Sequence, residues 1–245
     1  MPRLAVIGDI HDHQPRLRAV LAHLAQEGHL DGILLVGDIA ANPPFWQRAA
    51  PAALVMMRAS IERIVAQIEH ALAAPVRFVP GNHDPAEVPH PGNLDRRTEP
   101  LAGLRIHGIG GGGPARFGFP YEWSEDELRQ RPQPDCELLL VHSPPLGGSL
   151  DVLAHNGQHA GSLAIAERAR AHRGLLVCGH IHEAVGAELL EQCLCVNVGG
   201  LGDPYGAARV AVVDVDIDEH HIDWTVRFTE LDRGLHETWT HRSAR

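Results

Sequence analysis

Five times along this chain a short apolar run gives way directly to an aspartate, an asparagine or a histidine. Leu4–Gly8 leads into Asp9 and His11 in GDIHD, and Ile33–Val36 into Asp38 in LLVGDI. Val76–Val79 leads into Asn82, His83 and Asp84 in VPGNHD. Glu137–Val141 leads into His142 in LLLVHSPP, and Leu175–Cys178 into His180 and His182 in LLVCGHIH. Runs of this length and apolarity read as buried strands. Ligands of open α/β sheets gather outside the carboxyl ends of the strands, so the five segments should meet in space.

Helical patterns separate the first runs. Leu17, Val20, Leu21 and Leu24 share one helical face, as do Met57, Ile61, Ile64, Ile68 and Leu72. Leu104–Ile109 reads as a further strand, Ser124 with Glu127 as a capping box, and Ser162 as the start of another helix. From Val185 helical periodicity stops. Ala187–Leu190, Leu194–Val198, Ala208–Asp216 and His221–Phe228 read as consecutive antiparallel strands. The expected fold is therefore a mixed α/β (α+β) arrangement of two packed sheets flanked by helices. It should occupy one domain, residues 1–230, with residues 231–245 as a polar tail.

The formal charge of −10, with all 21 basic residues arginines and none clustered, argues against a nucleic-acid polymer as partner. A small phosphorylated substrate stays compatible, because bound cations can reverse the local field. Cys136, Cys178, Cys193 and Cys195 lie inside apolar runs without CxxC spacing and read as buried thiols. No apolar stretch reaches membrane-spanning length, and the first residues lack the tripartite pattern of a secretory signal. The expectation is a cytoplasmic protein with no membrane partner; a homo-oligomer is left open.

The residue types at the strand ends suit a mixed oxygen and nitrogen site for two divalent metals. Carboxylates bridge cations, neutral imidazoles bind borderline metals, and an asparagine carbonyl adds an uncharged oxygen; Mn, Fe and Zn all accept this mixture. Glycines precede Asp9, Asp38, Asn82 and His180 and read as tight turns. Two dications against so few carboxylates leave net positive charge for a phosphate ligand.

D-x-H, GD, GNHD, an isolated His after a strand, and GHxH, in that order, resemble the calcineurin-like metallophosphoesterases. The resemblance implies a four-layer αββα sandwich and a dinuclear metal-dependent phosphoester hydrolase. It places one metal on Asp9, His11, Asp38 and His182, and the second on Asp38, Asn82, His142 and His180, with Asp38 bridging. His83 would stabilise or protonate the leaving group, while a hydroxide bridging the two metals attacks phosphorus in line. The stretches GIGGGGPARFGFPYEWSEDEL and GQHAGS are similar to small prokaryotic phosphoesterases related to cyclic-nucleotide phosphodiesterases. A small phosphodiester, with cyclic nucleotides as one candidate, is thus the expected substrate. A phosphomonoesterase and a non-catalytic interaction scaffold on the same fold are the alternatives. Phosphoprotein phosphatases extend the second motif as GDxxDR, whereas this chain reads GDIAAN, with Ala41 and Asn42 at those positions. That disfavours a protein phosphatase and leaves His83 in need of another orienting partner, with Asp84 adjacent.

Five of the 18 histidines fall in these motifs. His13 reads as a loop residue near a helix start, and Asp12 as either a partner of a metal ligand or a helix-start carboxylate. Three readings stand for His159: approach to the site, contact with an adjoining subunit, or a cap for the helix after Ser162. Gly110–Gly113 lacks the Lys and Ser or Thr of a P-loop and reads as a glycine-rich turn. Phe45 and Trp46, beside Pro43 and Pro44, are expected to pack under the long helix rather than form an apolar wall beside Asp38.

Overall fold

The computed structural model describes residues 1–244. Its elements run β1 (Arg3–Ile7), α1 (Gln14–Leu24), β2 (Gly32–Leu35), α2 (Pro51–Leu72), β3 (Val76–Phe78), β4 (Thr98–Leu101), β5 (Leu104–Ile109) and α3 (Glu125–Gln130). They continue with β6 (Leu138–Val141), α4 (Leu163–Ala171), β7 (Gly174–Cys178), β8 (Gly186–Leu190), β9 (Cys193–Asn197), β10 (Arg209–Ile217), β11 (His221–Glu230) and β12 (Leu235–Ala244). One six-stranded sheet has the order β12-β11-β10-β1-β2-β3, the other β4-β5-β6-β7-β9-β8.

Alternation along β1 explains the layering. Ala5 and Ile7 face α1 and α2, where Leu17, Val20, Ile61, Ile64 and Ile68 are buried against them. Leu4 and Val6 face the other sheet and pack with Leu34, Ile106, Leu138, Leu140 and Val177. On the far side, Leu139, Val141 and Leu176 pack beneath Leu128 of α3 and Ile165 and Ala169 of α4. Each fully buried Leu or Ile contributes about 1.5–3 kcal/mol, so both sheet faces must stay covered. The result is the expected αββα sandwich. Ser124 and Glu127 form their reciprocal capping box at α3, and Ser162 caps α4 by accepting the Ile165 N–H.

Three features depart from the sequence reading. The strands after Val185 do not form a meander: β8 and β9 pair antiparallel, but β9 lies parallel to β7, while β10 crosses to the other sheet between β11 and β1. The expected polar tail is instead β12, paired with β11 over ten residues from His221–Ala244 to Glu230–Leu235. Most β12 side chains are exposed, so backbone hydrogen bonds hold this edge strand and hydropathy gives no sign of it. Trp224 nevertheless donates its indole N–H to Ser243 Oγ at 3.0 Å, and both residues are buried. Finally, Phe45 and Trp46 are 68% and 81% exposed rather than packed under α2. No helix among the described residues is long and apolar enough to cross a membrane.

Candidate metal centre

β1, β2 and β3 are adjacent and parallel, as are β6 and β7, so their carboxyl ends deliver the five motifs to one cleft. Backbone bonds from His11 N–H to Asp38 O (2.8 Å) and from Gly179 N–H to His142 O (3.1 Å) fasten neighbouring motifs together. The glycines serve differently from the turns expected of them. Only Gly37 needs left-handed backbone, at φ +108°. At Gly81 and Gly179 a Cβ would lie 2.0 Å from an Asp38 oxygen and 2.1 Å from an Asp9 oxygen, so their absent side chains make room for carboxylates. The strain falls on the candidate metal ligands instead: Asp9, His11, Asp38 and His180 all have positive φ, from 38° to 68°.

Asp38 stands at the centre and is 2% exposed. Its Oδ1 accepts the His83 backbone N–H at 2.9 Å and lies 3.7 Å from His142 Nε2. Its Oδ2 lies 3.6 Å from His11 Nε2 and 4.0 Å from His83 Nε2. Burial opposes its ionisation, but the imidazoles of His142, His83 and His11 outweigh that and hold the carboxyl well below the usual range. Asp9 has no exposed surface; both its oxygens accept the His180 backbone N–H, and Oδ1 lies 3.4 Å from His182 Nε2. Burial opposes charge on Asp9 and on His182 alike. Their mutual attraction prevails, lowering the pKa of Asp9 and raising that of His182. Among the described residues every ion-pair partner of these two acids is a histidine.

Two donor groups result, Asp9–His11–His182 and Asp9–Asp38–His142, each with ligand atoms within 4.8 Å of one another. Their chemistry fits cations. His142 gives its Nδ1–H to the Val36 carbonyl at 2.8 Å, so in the neutral ring the lone pair is on Nε2, which lies 2.8 Å from Asn82 Oδ1. A cation held between them would satisfy both acceptors. His11 and His182 bring their Nε2 atoms to 3.4 Å, and both Nδ1 atoms are buried without a hydrogen-bond partner among the described residues. His180 falls outside both groups; its ring packs on that of His142 with centroids 4.9 Å apart. Burial, then the His142 ring, push its pKa down to about 3, which leaves it in the neutral, ligand-ready form.

His83 is oriented by a side chain the sequence reading did not single out. Asp84 turns away, accepting the backbone N–H groups of Ile39 (3.0 Å), Ala40 (3.0 Å) and Gly81 (2.9 Å) and clamping the second motif to the third. Burial and the Asp38 charge push its carboxyl up to about 6, against the pull of those three amides. The His83 ring lies instead on Phe119, 4.1 Å between centroids. Phe119 is backed by the Arg48 guanidinium at 4.3 Å, itself 3.6 Å from the Phe45 ring centroid. Two further readings resolve. Asp12 binds Arg63, Ser60 and Gln14, all outside the donor groups, and His13 caps α1 by accepting the Arg16 N–H.

His11, Asp38, Asn82, His180 and His182 floor a cavity of about 520 Å³ with His83 in its wall. Phe117, Phe119 and Tyr205 form an aromatic side, and His155, Gln158 and His159 a polar side. Gly110–Gly113 is a bend rather than a regular turn, with Gly112 bridged to Glu122 and Gly112 and Gly113 lining the cavity. A Cβ on Gly111 or Gly113 would meet the Trp123 ring, which donates its N–H to Gly110 O at 2.9 Å.

Among known proteins, a cAMP/cGMP dual specificity phosphodiesterase of Mycobacterium tuberculosis is 28% identical over 198 residues, 72% of this chain and 56% of that protein. An uncharacterized protein of Methanocaldococcus jannaschii is 28% identical over 136 residues, 50% of this chain and 62% of its own. The chain thus spans less than two thirds of the length of either relative. The crystal structure of calcineurin-like phosphoesterase YfkN from Bacillus subtilis overlays on 99% of the chain, and 90% of its own, at a TM-score of 0.47 and 8% identity. The family signature described as calcineurin-like phosphoesterase matches residues 2–184, the stretch that carries all five motifs. The chain belongs to the calcineurin-like phosphoesterase family.

Proposed function

We propose that this protein is a dinuclear metal-dependent phosphoester hydrolase that acts on a small phosphodiester. One observation supports this above others: Asp38 is a buried carboxylate whose two oxygens face different histidines, Oδ1 toward His142 and Oδ2 toward His11. On this reading Asp9, His11, Asp38 and His182 hold one divalent metal, and Asp38, Asn82, His142 and His180 the other, as Mn, Fe or Zn. Bound there, the metals supply Lewis acidity that draws charge from a phosphoryl oxygen and acidifies water.

The chain's own groups do the rest. The imidazoles donate as neutral rings, and Val36 O fixes the His142 tautomer that presents Nε2. His83, held against Phe119 at the cavity wall, delivers a proton to the departing ester oxygen. The cavity exceeds what inorganic phosphate needs and is large enough for a substituted diester. The diesterase of Mycobacterium tuberculosis among the relatives supports the same preference. Metal-reconstituted protein should show a higher kcat/KM for bis(p-nitrophenyl) phosphate than for p-nitrophenyl phosphate. A clear monoester preference would make it a phosphomonoesterase, and no metal-stimulated hydrolysis of either would end the hydrolase reading.

A further inference from the structure

Asp151 has no exposed surface and lies outside every motif of the metal centre. Its Oδ2 accepts the backbone N–H groups of Gly147 and Gly161, each at 3.1 Å. Its Oδ1 takes one further partner, His159 Nδ1, at 2.7 Å. A carboxylate only accepts, so Nδ1 carries the proton, and in the neutral ring the lone pair is then on Nε2. Among the described residues Nε2 has no hydrogen-bond partner, and His159 lines the same cavity as His83.

The segment that carries this pair is held firmly. Ala160 N–H binds Asp151 O and Leu153 N–H binds Gln158 O, both at 2.9 Å, closing a hairpin. Asn197, fully buried, donates to both Leu150 O and Ile181 O at 3.0 Å, and Ala154 N–H binds Glu183 Oε1 at 3.0 Å. The hairpin is therefore pinned on either side of His182. A buried carboxylate that fixes one tautomer of an imidazole on a cavity wall matches how sites orient a working base or acceptor.

We propose that His159 is a specificity residue that accepts a hydrogen bond from a hydroxyl on the ester arm of the substrate, with Asp151 as its positioning residue. This rests on the phosphodiester reading above and narrows it to diesters whose arm carries a hydroxyl, such as a ribose 2′-hydroxyl. Three probes separate the possibilities: adenosine 3′,5′-cyclic monophosphate, its 2′-deoxy analogue, and bis(p-nitrophenyl) phosphate, which has no hydroxyl.

The wild-type, metal-reconstituted protein should favour the ribose compound over the deoxy one by about 3- to 10-fold in kcat/KM, through KM. His159→Ala should erase that preference and leave bis(p-nitrophenyl) phosphate within about twofold, with metal content unchanged. His159→Gln, whose amide oxygen still accepts, should keep part of the preference. Asp151→Asn also loosens two glycine amides, so His159→Ala carries the test. Equal losses on all three substrates, or a wild type blind to the 2′-hydroxyl, would overturn the assignment. Failure of the wild type on all three substrates, and on p-nitrophenyl phosphate, would instead strike the hydrolase reading. Ribose against deoxyribose binding to metal-free wild type and His159→Ala, measured by calorimetry, would then judge His159 alone.

Discussion

Arg209 opens β10 with its side chain nearly enclosed. Its Nε donates to Glu230 Oε2 at 2.8 Å, and its Nη1 to the carbonyls of His182 (2.7 Å) and Tyr205 (3.2 Å). The two side chains are 9% and 3% exposed. Arg209→Met should cost about 3–5 kcal/mol, because it leaves Glu230 charged and buried. Arg233 also reaches Glu230, at 3.0 Å, but at 76% exposure it offsets at most about 1 kcal/mol. Replacing both, as Arg209→Met/Glu230→Leu, removes the stranded charge and should recover about 2–3 kcal/mol of coupling. Urea unfolding of metal-free protein, followed by tryptophan fluorescence, measures each corner. With a slope of about 3 kcal/mol per molar, the single variant should lower the midpoint by about 1–1.7 M. The doubly replaced protein still lacks the tether on the His182 carbonyl, so its metal affinity should stay down about 10- to 100-fold after stability has returned. A cost below about 1 kcal/mol for Arg209→Met, or full recovery of metal affinity in the double variant, would refute the reasoning.

Asp38→Ala should abolish the two-metal stoichiometry in elemental analysis; two metals per chain in that variant would break the bridging assignment. His83→Asn should keep its metals yet lose about 100- to 10,000-fold in kcat, and unchanged turnover of an alkoxide-leaving diester would remove His83 from the reaction. In metal-free protein the raised pKa of His182 means that its pairing with Asp9 stabilises the fold fully below the unperturbed value of 6.5 and is lost as pH rises through the folded value. A metal must displace that same proton, so apparent affinity should climb about tenfold per pH unit across the titration, and calorimetry in two buffers should register its release. Ser243→Ala strips the acceptor from the buried Trp224 N–H and should cost about 1–3 kcal/mol in urea unfolding; a cost under about 0.5 kcal/mol would show that β12 is not fastened there.

The centre was legible because its residues sit where apolar runs end, and a parallel sheet converts that order into proximity. What the sequence hid was whatever depends on partners distant along the chain. Asp84 adjoins His83, yet its acceptors are taken by amides of Ile39, Ala40 and Gly81. Phe119, 36 residues further on, supplies the ring that holds His83. β4 carries Pro100 at a sheet edge, which weakens any strand signal, and β12 is polar because its outward face meets water. The crossing of β10 between β11 and β1 follows from pairings nearly the full length of the chain, such as Arg3 with Asp214. Asp151 had no motif to announce it. GQHAGS drew attention to His159, and only the folded hairpin brought the two together.

The left-handed backbone at Asp9, His11, Asp38 and His180 has a consequence for anyone who tries to toughen this protein. Each non-glycine residue held there costs about 1 kcal/mol or more, and glycine would adopt the same conformation freely. A screen that selects only for heat resistance in chelator should therefore collect glycine at His11 and His180 before Asp9 and Asp38, whose oxygens accept buried backbone N–H groups. Such a glycine would exchange a proposed metal ligand for a sturdier fold. Selection under turnover must be applied alongside, because the residues a heat screen discards first are those the proposed chemistry requires.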